Sequence, residues 1–170
     1  MTALPLPLQK IADGLEAARS RLIDALQGLD DAQTMKAPGP ENWSAAQIVD
    51  HLLLAEGFTN DITKMLADNA PATGFPTDLT EFEPLPQARS MEAPPPIRPR
   101  QELPSSELIA ALEAMAVRTK GSFETLATID PRTLSMEHPL FGTLDLGQWW
   151  AIHPGHYDMH SAQAQGALDS

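Results

Sequence analysis

"NWSAAQIVDHLLLAE", residues 42–56, is the stretch from which the architecture is read. Ser44 is a good helix N-cap, and Gln47 three positions later completes a Ser-x-x-Gln capping box. Trp43 and Ile48 stand at the two positions of a hydrophobic staple. A helix is therefore expected to start here and to continue through "AAQIVDHLLLAEGFTNDITKMLAD". Its apolar stripe is Ile48, Leu52, Ala55 and Ile62. His51 lies on that stripe, three residues after Ile48, and is expected to point inward.

Upstream, Leu8, Ile11, Leu15, Leu22 and Leu26 recur at helical spacing and predict a first helix from about Leu8 to Leu29, followed by the loop "APGPEN". Downstream, residues 71–104 contain nine of the sixteen prolines, too many for a helix or a central strand, so an extended crossover is expected there. Such a segment is either a solvated linker or a lid over a site. It is not read as a domain boundary, because neither flank alone could form an adequate core; residues 1–170 are taken as one domain. A third helix follows Ser105 or Ser106 and runs to about Ile129, with Leu108, Leu112, Met115, Thr119, Phe123 and Leu126 inward. "DPRTLSMEHPLFGTLD" reads as a turn-rich connection with no convincing strand. A fourth helix begins between Leu144 and Gly147 and ends around Gln165, with Pro154 expected to kink it. Four helices with a long Pro-rich crossover between the second and third describe an all-α four-helix bundle.

Composition excludes several function classes. With no cysteine, thiolate metal sites, iron–sulfur clusters and a cysteine nucleophile are ruled out, so a transition metal would need His, Asp or Glu. A formal charge of −12 argues against nucleic acid or an anionic membrane as partner. No segment resembles an apolar span, and the first residues lack a basic stretch followed by an apolar core. A cytoplasmic protein is the expectation. Nucleophile-elbow, phosphate-loop, His-Glu-x-x-His and dinucleotide fingerprints are all missing.

"HPGHYDMH", residues 153–160, holds three of the five histidines. His156 and His160 are four apart, which puts them on one helix face with Cβ atoms roughly 5–6 Å apart. An inward His51 from a facing helix would add a third nitrogen, leaving coordination positions open as in catalytic sites. His153, one turn above His156, is a further ligand or a hydrogen-bonding neighbour. The alternative is that His51 is a core histidine bonded to a carbonyl. Asp50, Glu56 and Asp158 turn away from these positions and read as mostly solvated. Tyr157 is expected to pack, and His138, before a proline, to be structural or exposed. Of the consecutive Trp149 and Trp150, at most one should face the core fully, leaving the other to line a cavity or an interface.

Two stretches resemble one family. "NWSAAQIVDHLLLAE" is similar to the second-helix signature of the DinB-like superfamily (damage-inducible, YfiT-like metal-dependent hydrolases). "HPLFGTLDLGQWWAIHPGHYDMHSAQ" resembles its C-terminal signature: His-Pro, a Phe-Gly turn, a Trp-containing helix start, and His-x-x-x-His ending in Gln. The resemblance implies a four-helix bundle with a divalent ion, zinc or nickel, on His51, His156 and His160. His153 is then a neighbour outside the ligand set and the first candidate for a catalytic base. The implied chemistry is activation of water for hydrolysis, or of a low-molecular-weight thiol for transfer to a small-molecule electrophile. A homodimer is also implied. The other reading is a non-catalytic bundle whose metal is structural or vestigial, acting as a binding or stress-response module.

Overall fold

Three helix starts in this chain are fixed by N-cap side chains that take up free N–H groups of the first turn, while the other two long helices start after Pro5 and Pro104. The computed structural model describes residues 3–90 and 92–170. At Ser44 the hydroxyl accepts from the Gln47 N–H at 3.2 Å while Gln47 Oε1 accepts from the Ser44 N–H at 3.0 Å, and the helix α3, Ala45–Ala67, follows. Two further capping boxes, not anticipated from sequence, use Asp instead of Ser. Asp30 with Gln33 starts a single-turn helix, α2, Asp31–Thr34, and Asp145 with Gln148 starts α5, Leu146–Leu168. The remaining long helices are α1, Leu6–Leu26, and α4, Ser105–Leu126.

The four long helices form a ring: α1 packs on α4 and α5, and α3 packs on the same two. Leu8, Leu15 and Leu22 of α1 meet Ile48 and Leu52 of α3, Leu108 and Leu112 of α4, and Trp150 of α5 in one apolar core. α5 continues unbroken through Pro154, whose ring lies against Gly14 of α1; a Cβ at that glycine would be 3.4 Å from the proline Cβ. The architecture is the expected all-α bundle.

One element corrects the sequence reading. The connection before α5 holds a hairpin, β1 Ser135–His138 and β2 Gly142–Asp145, paired antiparallel with Met136 opposite Leu144. Strands of four residues are too short to show a clear alternation. Gly142, at φ 81°, takes the left-handed conformation that closes the three-residue loop. The hairpin covers Trp149, whose indole N–H donates to the Met136 carbonyl at 3.3 Å and whose ring lines a cavity, as expected for one of the two tryptophans. Trp150 faces the core and donates to Thr63 Oγ1 at 3.0 Å.

The crossover between α3 and α4 is packed, with a short 3₁₀ turn at Pro95–Ile97 against α3. Phe82 sits where a side chain at Gly147 would be, so its ring leaves no room for a Cβ there. Asp50, expected to be solvated, is buried and accepts from the Arg100 and Gln101 backbone N–H groups at 2.7 and 3.2 Å. A carboxylate supplied with two backbone donors loses little on leaving water, and it pins the crossover to α3.

Glu56 is the larger correction. It is 0% exposed, because the donors that replace water come from three other helices. Arg19 of α1 and Thr119 of α4 donate to its Oε1, and Tyr157 of α5 donates to Oε2. Burial, and then the charge of Glu56, raises the Tyr157 pKa well above its ordinary value, so the phenol remains a donor. Asn60 extends the network by donating to Thr119 Oγ1 at 3.0 Å and accepting from Ser122 Oγ at 2.7 Å. Removing one member of a buried, hydrogen-bonded charge pair typically costs about 3–5 kcal/mol. Glu56→Ala should therefore lower unfolding stability by about that amount, and Tyr157→Phe by about 1–3 kcal/mol, both read from denaturant titrations. Equal stability of Glu56→Ala and the parent would contradict this account.

Candidate metal centre

His51 comes from the second turn of α3 and His156 and His160 from adjacent turns of α5, two helices that pack directly on each other. Each offers one ring nitrogen, and these nitrogens all lie within 4.8 Å of one another. The rings meet edge to face, with centroids 4.9 Å apart for His51–His156 and 4.7 Å for the other two pairs. Such rings converge on a common point instead of stacking. His51 Nε2 and His156 Nε2 are 3.0 Å apart, close to the separation of two nitrogens that share an ion at about 2.0–2.1 Å.

The outer nitrogens explain the orientation. His51 Nδ1 is 2.6 Å from the Ile97 carbonyl and His160 Nδ1 is 2.7 Å from Gln163 Oε1. Both partners are acceptors, so both Nδ1 atoms carry the proton and both Nε2 atoms present lone pairs to the cluster. Ligating imidazoles are held in this way. Burial depresses the pKa of all three: His51 to about 4, His156 to about 2, and His160 below its ordinary value. The neighbouring histidines lower His156 further, while the Ile97 carbonyl acts the other way on His51. Neutral imidazoles are the form that binds a divalent ion. The donor set therefore fits such an ion. Trp43 covers the cluster, with its ring 4.9 Å from His51 and 6.2 Å from His160.

His153 lies beside the three and is not one of them. Its ring is 6.4 Å from that of His156. Its Nε2 is 2.8 Å from Thr59 Oγ1, and the Thr59 hydroxyl itself donates to the Ala55 carbonyl at 3.3 Å. The imidazole must then donate through Nε2, leaving Nδ1 as a buried lone pair with no partner. Burial pushes its pKa down to about 4. No carboxylate joins the cluster among the described residues: Asp50 and Glu56 are held as described above, and Asp158 is exposed and paired with Arg21.

The cluster opens on a cavity of about 610 Å³. Its walls include all five histidines, Trp149 and, from the crossover, Leu85 and Ile97. The crossover is thus a wall of the site. Sequence reasoning missed the Ile97 carbonyl, the cover supplied by Trp43 and the presence of His138 in the wall. For Ile97 no local signal exists, because a backbone carbonyl is offered by every residue.

A helical bundle with an inward histidine on one helix and an i,i+4 pair on the next defines a class of proteins able to hold a divalent ion at the helix interface. The model of the DinB superfamily matches residues 14–164, and the chain belongs to that superfamily. No curated protein matches the chain.

Because the buried histidines have folded-state pKa values below the ordinary 6.5, protonation favours the unfolded chain. Their neutral forms stabilise the fold fully above about pH 6.5, and that contribution is lost as the pH falls toward about 4, where His51 and His153 titrate in the folded state. The metal-free protein should show a lower denaturation midpoint at pH 5 than at pH 7.5. A midpoint unchanged between these pH values would contradict the assignment of buried neutral imidazoles.

Proposed function

We propose that the protein is a metal-dependent enzyme of the DinB-like type in which His51, His156 and His160 hold one divalent ion, zinc or nickel, through their Nε2 atoms. The observation that carries this reading is the convergence of three neutral imidazoles, two of them locked by Nδ1–H bonds, at the end of a cavity. A divalent ion held there supplies Lewis acidity, which makes a bound water or thiol acidic enough to react near neutral pH.

The chain's own residues do the rest. Ile97 and Gln163 hold the His51 and His160 rings in place. Trp43 and the crossover wall the site on one side. His153 has one unpartnered nitrogen, Nδ1, and is the side chain we assign to proton movement. The absence of a carboxylate from the cluster among the described residues favours activation of a low-molecular-weight thiol over hydrolysis, since general-base help to water is limited to a strongly desolvated imidazole. Hydrolysis remains the competing reaction at the same site.

Protein prepared without a histidine tag should carry one metal ion per chain, and His51→Ala and His156→Ala should each lose it. His153→Ala should keep the ion while turnover falls about 10²-fold or more. Metal content unchanged in both ligand variants would overturn the proposal. Parallel assays of thiol conjugation and of ester and amide hydrolysis, before and after chelation, decide between the two reactions.

A further inference from the structure

The cavity has a chemical character that the three imidazoles do not determine. Its volume of about 610 Å³ suits a small organic molecule. Beyond the histidine cluster its wall is apolar, formed by Phe58, Leu85, Ile97, Phe141 and Trp149. Among the described residues lining it, the one charged side chain is the exposed Glu41 at the rim, and no Lys or Arg takes part. The three arginines of the neighbouring crossover are not in the wall and have partners of their own: Arg89 pairs with Glu137, Arg98 pairs with Glu92 and donates to the Ala93 carbonyl, and Arg100 donates to the Pro96 carbonyl. Away from the three clustered imidazoles, an anion entering this space would lose its hydration without a counter-charge from the protein, in a chain of formal charge −12. An uncharged apolar molecule meets no such barrier.

A polar donor of fixed orientation is built into the apolar part of the wall. His138, at the end of β1, accepts a hydrogen bond from the Leu140 backbone N–H on its Nδ1 at 3.0 Å. An amide N–H only donates, so the neutral ring carries its proton on Nε2. Trp149 and Phe141 hold the ring in place, with centroids at 4.5 and 5.0 Å, and both of them line the cavity with it. No acceptor among the described residues takes the Nε2–H. In apolar surroundings an oriented donor is worth more than in water and selects for the group that matches it.

We propose that the cavity takes an uncharged, mainly apolar organic molecule with one hydrogen-bond acceptor, such as a carbonyl oxygen, and that His138 Nε2–H orients it. This rests on the reading of the cavity as the substrate site and names its substrate class. His138 is a binding and orienting residue, distinct from the three that cluster.

Three probes of matched size separate the terms: acetylnaphthalene, ethylnaphthalene, which lacks the acceptor, and naphthoate, which is anionic. Binding is measured by calorimetry on the full chain, as purified and after chelation, the latter so that naphthoate has no ion to ligate. Acetylnaphthalene should bind most tightly, with ethylnaphthalene and naphthoate each about tenfold weaker or more in the chelated protein. His138→Ala should bring acetylnaphthalene to the level of ethylnaphthalene and leave ethylnaphthalene unchanged, and His138→Gln, which keeps an N–H donor, should restore part of the difference. The ranking on the parent chain needs no variant. Naphthoate binding as tightly as acetylnaphthalene after chelation, or no binding of any probe, would overturn the charge selection. Equal binding of ethylnaphthalene and acetylnaphthalene, or a His138→Ala loss shared by both, would overturn the role of His138. Loss of metal in His51→Ala with the probe ranking intact would separate this inference from the metal assignment.

Discussion

A buried carboxylate must find its solvation inside the protein, and Glu56 finds it by recruiting a donor from each of the other three long helices. That requirement fixes more than stability. Apolar faces tolerate small rotations and slides, whereas a charge-assisted hydrogen bond tolerates little. Glu56 lies five residues after His51 on α3, and Tyr157 lies next to His156 on α5. The Tyr157–Glu56 bond therefore sets the register at which His51 and His156 face each other. The charge network and the imidazole cluster are two consequences of one alignment between α3 and α5.

The crossover adds the second constraint. Asp50 anchors it through two backbone N–H groups, and the adjoining turn then brings the Ile97 carbonyl to His51. Neighbouring residues of α3 thus divide the work: Asp50 holds the crossover, and His51 is held by it. The result is a site with one wall of helix and one of proline-rich loop, the latter stiff enough to shape a cavity without forming regular structure.

Much of this was legible in the sequence. The long helices, the capping box at Ser44, the inward direction of His51 and the pairing of His156 with His160 follow from periodicity and cap chemistry, which are local. The burial of Asp50 and Glu56 was not legible, because their donors are far away in sequence: Arg19 is 37 residues from Glu56 and Tyr157 is 101. A prior against burying acids is sound for an unpaired acid and fails where a partner arrives by tertiary packing. The hairpin escaped for a related reason. Strands of four residues draw their stability from what they cover, here Trp149, and carry too little pattern of their own. His138 was placed in the right connection, but its part in the cavity wall depends on the hairpin turn that sequence did not reveal.

The central claim is that His51, His156 and His160 converge to hold one ion. X-ray absorption at the zinc edge of the zinc-loaded protein in solution tests it most directly. The expected first shell has three imidazole nitrogens at about 2.0–2.1 Å, reduced to two in His51→Ala wherever that variant retains zinc. A first shell of oxygens without the outer scattering of imidazole rings, or one unchanged by His51→Ala, would contradict it.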